Sequence, residues 1–392
     1  MPPSRGFLFS PASSYPVPTA YVVDDAGSIL HTWSNTTHQL KPEDNPPNYL
    51  RGWNHVEVDE DGNLFAIVPL RALLKLTPKS KLEWSCDVAA HHDLAIRADG
   101  TIFVLTEAPR RVVIDGNAYV ILDNLVTMVE PGGAVKSEVS LYEVLCTDSI
   151  LRQLIDHEIK QRAQIFQHRG WPTPEDRVKL DVARETLTIL DTAAYDGELR
   201  RALQRLRALP GKPCDVLHTN TLELLNDHPE GIWNRGDLLI CMRELNTVAV
   251  IDSARRNVRW RWGVAELSGP HQPSMLPNGH ILIFDNGLNS QRTRLLVVDP
   301  ITNAIVWSWS ARPPESFFCP LAGGCERLAN GNLLVTNSTG GGAFELTVNG
   351  EIVLQITLPV SVYGGERGRV SIYRMSAVDA ELVAGLRNGE SR

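Results

Sequence analysis

The feature that most constrains this chain is a hairpin that recurs along it. An alternating apolar run, an Asx-Gly turn and a second apolar strand appear at residues 57–67 around Asp61-Gly62 and at 95–105 around Asp99-Gly100. The pattern returns at 274–284 around Asn278-Gly279 and at 326–336 around Asn330-Gly331, with a stretched copy between residues 220 and 241. Such dipeptides between alternating runs mark hairpins because the turn needs positive φ. A second hairpin, often closing on tryptophan, interleaves with the first at 21–33, 74–84, 128–135, 250–260, 297–307 and 344–353. Together the two give four-stranded units of roughly 40 to 50 residues, the period of a propeller blade.

Six second hairpins meet five first hairpins. Ring closure resolves the mismatch: the N-terminal strands complete the blade that residues 369–373 begin, which removes an open sheet edge. The expected fold is therefore all-β, a six-bladed β-propeller closed by its N-terminal strands and forming a single domain over residues 1–392. Residues 141–210 break the rhythm. Apolar residues fall at helical spacing over 150–159, 176–190 and 198–209, and Thr173-Pro174-Glu175-Asp176 reads as a helix start. A helical insertion is expected there, as a lid over one face or as a packing or dimer surface.

Composition narrows the function. The net charge of −8 argues against a nucleic-acid partner. No apolar run approaches the roughly 18 residues of a membrane span, and no apolar signal core precedes the first strand. A cytoplasmic setting is the expectation, and the oligomeric state is open. Six scattered cysteines with no CxxC pair argue against a zinc ribbon or thioredoxin site.

The innermost strand of each blade opens the first hairpin. Counting eight residues back from the turn glycine gives His271, His92 and Asn54, with His55 beside Asn54; His91 precedes His92. The stretched blade enters with His218-Thr219-Asn220, and alternation puts His218 and Asn220 on one side. Arg243 ends the next strand, followed by Glu244, and offers a forked cation to an anion. Asp285-Asn286-Gly287 ends the matching strand of a later blade as turn or ligand. Histidines at matching blade positions, with an arginine and an asparagine, point to a small anionic substrate in the channel. Four readings stay open on these residues: group transfer, hydrolysis or elimination, a histidine-ligated metal site, and a binding surface without catalysis. Arg243 beside the cluster opposes a cation, so no metal and no cofactor are expected.

The stretches 215–222, 238–252, 268–273, 276–287, 317–320 and 327–332, with His91-His92-Asp93, resemble the PAPS-independent arylsulfotransferases. The resemblance implies a six-bladed propeller that moves a sulfuryl group from an aryl sulfate to a phenolic acceptor through a channel histidine. It assigns the nucleophile to His271 and catalytic support to His218, Arg243 and His92. Asn220 and His91 become the expected substrate-binding residues on that match, with His55 added by the turn register alone. Ala322 stands where that family has a channel threonine.

Overall fold

The computed structural model describes residues 5–12, 17–40, 51–168, 197–209, 212–363 and 370–388. Its strands form six four-stranded antiparallel sheets. In chain order these begin at Val56–Val58, Ala90–Ile96, Thr219–Leu224, His271–Met275 and Gly324–Arg327, and each continues through the next three strands. The sixth starts with Ile372–Asp379, which pairs with Arg5–Pro11; Thr19–Val23 and Ile29–Ser34 complete it. The ring thus closes by the N-terminal strands, as the hairpin mismatch requires. The first strands of five successive blades, from Ala90–Ile96 round to Ile372–Asp379, each touch the next.

Between blades the packing is apolar. Trp33, Trp53 and Leu74 join the closing blade to the next, and Trp233, Trp260 and Leu296 fill a later seam. Full burial of such side chains contributes about 1.5–3 kcal/mol each. Inner strands are also stitched by hydrogen bonds across blades. The His92 amide donates to Asn54 Oδ1 at 2.7 Å, Leu222 N to Asp93 Oδ2 at 3.0 Å, and Gln272 N to Thr221 Oγ1 at 3.0 Å.

One blade is extended. Its middle strands, Ile102–Ile114 and Asn117–Val129, run thirteen residues each and project past the ring. The projecting apolar residues hold three helices, α1 (Leu141–Leu145), α2 (Ser149–His168) and α3 (Gly197–Arg207). Val112, Ile114 and Ile121 pack with Leu145, Leu151 and Ile155, while Val120 and Leu122 pack with Leu203 and Leu206. Local chemistry sets the helix starts: Ser140 Oγ accepts from Glu143 N, and Asp148 Oδ1 accepts from the amides of Ile150 and Leu151. The helical spacing at 150–159 and 198–209 corresponds to α2 and α3. The expected helix at 176–190 and its start at Thr173 lie outside the described residues.

Candidate active site

The first strands do not run straight into the channel. Register shifts break their pairing between Ala90 and Leu94, between Thr219 and Thr221, and between His271 and Ser274. Each bulge re-aims a side chain beside the channel. Leu70, His92, Lys212, His218 and Ala322 all have φ between 47° and 58°. Non-glycine residues held there store about 1–3 kcal/mol each and concentrate at functional sites. All five line one cavity of about 590 Å³, together with His91, Arg162, Arg207, Arg243, His271, Leu321 and Tyr373.

His271 is 3% exposed. Its Nδ1 lies 2.7 Å from Asn286 Oδ1 and 3.1 Å from the Gly269 carbonyl. Asn286 donates through Nδ2 to the carbonyls of Cys319 and Ala322, at 2.7 and 2.9 Å. Those two acceptors orient the amide, so only Oδ1 faces His271. Both neighbours of Nδ1 are then acceptors, and Nδ1 carries the proton. Nε2 is left as a lone pair. Burial, with the charges of Arg243 and His218, outweighs these hydrogen bonds and pushes the imidazole down to about 3. The His271 imidazole is therefore neutral across the physiological range, with Nε2 unprotonated.

A second chain of protons fixes His92. His91 Nε2 donates to the Thr106 carbonyl at 3.0 Å, which leaves His91 Nδ1 as an acceptor. His92 Nδ1 lies 2.7 Å from it and must donate. His92 also keeps an unprotonated Nε2. Burial, reinforced by His218, His91 and Arg207, pushes His92 well below the usual range, and burial pushes His91 down to about 4 against the opposing Glu107 carboxylate.

His218 has a different partner. Its Nδ1 donates to Asp215 Oδ2 at 2.7 Å, and its ring centroid lies 4.8 Å from that of His92. Burial pushes the Asp215 carboxyl up, but His218, Arg207 and Lys212 outweigh it and hold Asp215 well below the carboxylate range. Asp215 therefore stays ionised under the imidazole.

The helices complete the wall. Arg162 of α2 donates through Nη2 to Glu244 Oε2 at 2.6 Å, and Arg243 donates through Nη1 to Glu244 Oε1. Arg207 of α3 is paired with Glu107 and reaches Asp215 through Nη1 at 3.3 Å.

The cavity gathers His91, His92, His218, Arg243 and His271. The other two expected binding residues lie elsewhere. Asn220 is fully buried, donating through Nδ2 to the Pro270 carbonyl at 2.9 Å and accepting from Thr221 Oγ1. The register shift at Asn220 breaks the alternation that paired it with His218. Its own carbonyl accepts the Tyr373 hydroxyl at 2.6 Å, so it braces the wall from behind. His55 is 3% exposed, with Nε2 at 2.9 Å from Glu57 and 3.3 Å from Asp93.

Among the described residues, His55, Glu57 and Asp93 are the group with ligand atoms close enough to hold a metal ion. Asp93 already accepts two bonds from Arg374 and the amides of Leu94 and Leu222. The guanidinium repels a cation, and the trio reads as a structural network. Asp215, Tyr373, Arg162, Arg207 and Lys212 escaped assignment to the site from sequence, whereas Asn286 stood there as turn or ligand and proves to hold His271. Asp215 did carry a signal, three residues before His218 in a turn.

Fold and site together define a six-bladed propeller with a buried, neutral histidine in an arginine-walled pocket fed by its inner strands. Residues 56–358 match the Arylsulfotransferase (ASST) family. The chain belongs to that family. No curated protein matches it. A protein of unknown function from Bacteroides caccae has the same fold, with a TM-score of 0.50 and 14% identity, covering 96% of this chain and 99% of its own. The gluconolactonase PpgL of Pseudomonas aeruginosa aligns at TM-score 0.46 and 11% identity, over 96% and 99% of the two chains. An inactive virginiamycin B lyase from Staphylococcus aureus aligns at 0.40 and 11%, over 78% and 70%.

Proposed function

We propose that the protein transfers a sulfuryl group from an aryl sulfate to a phenolic acceptor through a sulfohistidine at His271. The observation that carries this reading is the fixed tautomer of His271, whose Nε2 lone pair is held neutral by burial. In the first half-reaction Nε2 forms a bond to sulfur while the bond from sulfur to the aryl oxygen breaks. The departing oxygen takes the bonding pair and, as that bond breaks, a proton from His218 Nε2. In the second half an acceptor hydroxyl gives its proton back to His218. Its oxygen bonds to sulfur, and the nitrogen–sulfur pair returns to His271.

Arg243 supplies positive donors to the sulfuryl oxygens as charge shifts, the kind of preorganised stabilisation that dominates acyl and phosphoryl transfer. Tyr373, Leu70 and Leu321 offer an apolar wall for the aryl ring. Arg162 of α2 and Arg207 of α3 line the same pocket, which supports the helical segment as one of its walls. Incubation with a chromogenic aryl sulfate, followed by peptide mass analysis, tests the reading. A sulfuryl increment on the His271 peptide, discharged by a phenol, is expected. Turnover without label in the wild-type protein and undiminished in His271→Ala would overturn it.

A further inference from the structure

Glu107, Arg207, Asp215 and His218 form a continuous line of paired charges from strand Ile102–Ile114, through α3, to the cavity. Arg207 donates through Nε to Glu107 Oε1 at 2.8 Å and through Nη1 to Asp215 Oδ2 at 3.3 Å. The same Asp215 oxygen accepts His218 Nδ1 at 2.7 Å. All four groups are largely buried: side-chain exposure is 0% for Glu107, 12% for Arg207, 2% for Asp215 and 13% for His218. Glu107 follows Thr106, whose carbonyl anchors the His91–His92 chain. One strand therefore anchors two proton arrangements that meet where His92 faces His218.

The two arrangements differ in what they allow. His92 is tied to a neutral imidazole and is itself kept neutral by burial. His218 rests on a carboxylate, so a second proton on Nε2 is balanced by Asp215. Arg207 shares with His218 and Lys212 in keeping Asp215 ionised, and its Nη1 lies 3.3 Å from the oxygen that accepts His218 Nδ1. A forked guanidinium spanning two carboxylates fixes both in orientation, which an ammonium cannot do as well.

We propose that Arg207, brought by the helical segment, is a positioning residue for the general acid–base. By holding Asp215 against His218 Nδ1, it keeps His218 Nε2 aimed at the leaving and entering oxygens. The helical segment then forms part of the proton-transfer machinery as well as the wall. This rests on the transfer reading above. In the step concerned, the aryl oxygen gains the His218 proton as its bond to sulfur breaks, and His218 is left neutral on Asp215.

The test is a series of aryl sulfates whose phenols span good to poor leaving groups, turned over by wild type, Arg207→Gln, Arg207→Lys, Asp215→Asn and His218→Ala. A well-placed general acid contributes about 100- to 10,000-fold, and most where the leaving group is poor. Arg207→Gln is expected to lose about tenfold or more with the poorest leaving groups and little with the best. Arg207→Lys should recover part of that loss, and Asp215→Asn should show the same leaving-group trend. Adding Arg207→Gln to His218→Ala should cost nothing further, because the two act through one proton. A loss equal across all donors, or full additivity with His218→Ala, overturns the proposal while His271 labelling stands. If Arg207→Gln does not fold, Asp215→Asn decides by the same trend. Absence of both cleavage and label in wild type overturns the transfer reading and this proposal together.

Discussion

Replacing Asn286 by leucine isolates what the amide does for His271. Leucine has a similar shape but neither donates nor accepts. His271 Nδ1 keeps the Gly269 carbonyl at 3.1 Å and loses the Asn286 oxygen at 2.7 Å. The carbonyls of Cys319 and Ala322 lose their donor. A buried polar group left unmade costs about 1–3 kcal/mol, so two carbonyls give a destabilisation of about 2–6 kcal/mol, reduced by the apolar gain of leucine. The kinetic effect is separate. A net hydrogen bond of about 0.5–1.5 kcal/mol no longer favours the Nδ1–H tautomer. At 1.36 kcal/mol per factor of ten, the ratio of the attacking tautomer to its alternative falls about 2- to 13-fold. Single-turnover release of phenolate should fall, by at most that factor and equally for every donor, good or poor leaving group, because attack and not departure is impaired. Thermal unfolding of the same variant reads the stability term. A burst of wild-type rate in folded Asn286→Leu would refute the tautomer argument, and so would a loss that grows as the leaving group worsens.

Arg243→Ala should lower the rate of label formation about 100- to 1000-fold, as removal of one preorganised charge donor does, measured by quenched labelling of His271. Arg374→Leu leaves Asp93 buried beneath His55 without its two guanidinium bonds; a loss of about 3–5 kcal/mol in urea unfolding is expected, and an unchanged midpoint would contradict the structural assignment of that network. Stability should also fall on acidification. His91, His92 and His271 stay unprotonated in the fold while the unfolded chain takes up their protons below about 6.5. Glu223 and Glu326, pushed up to about 7 mainly by burial, act in the opposite sense between about 4.5 and 7, where the fold holds their protons. Three against two leaves a shallow decline toward about pH 4.5; below it the carboxyl effect is spent, and denaturant midpoints should drop more steeply. A stability maximum below pH 5 would contradict the burial of these histidines.

The blade count was legible because Asx-Gly turns and tryptophan-ended hairpins are local devices that write their period into the sequence. His92 and His271 were legible for the same reason, since counting back from the turn glycine follows the strand register. Asn220 was misplaced because a bulge inserts one residue between Thr219 and Thr221, and no propensity signals it. His55 sits beside Asn54 in sequence but takes carboxylate partners outside the pocket lining, a fact of three-dimensional packing. Arg162 and Arg207 reach the site from a helical segment anchored on an extended hairpin. Their role depends on how α2 and α3 dock, which periodicity does not specify. Asn286 was visible as a strand-end asparagine, and only the carbonyls of Cys319 and Ala322 reveal which way its amide faces.

The central claim is that His271 Nε2 bonds covalently to the transferred group. Its most direct test is rapid quenching of wild-type protein with an aryl sulfate in the absence of acceptor, followed by mass analysis of the His271 peptide. The account predicts one sulfuryl group per chain on that histidine, formed as fast as the phenolate burst and lost on adding a phenol. A phenolate burst with no modification at His271, or the same label in His271→Ala, would contradict it.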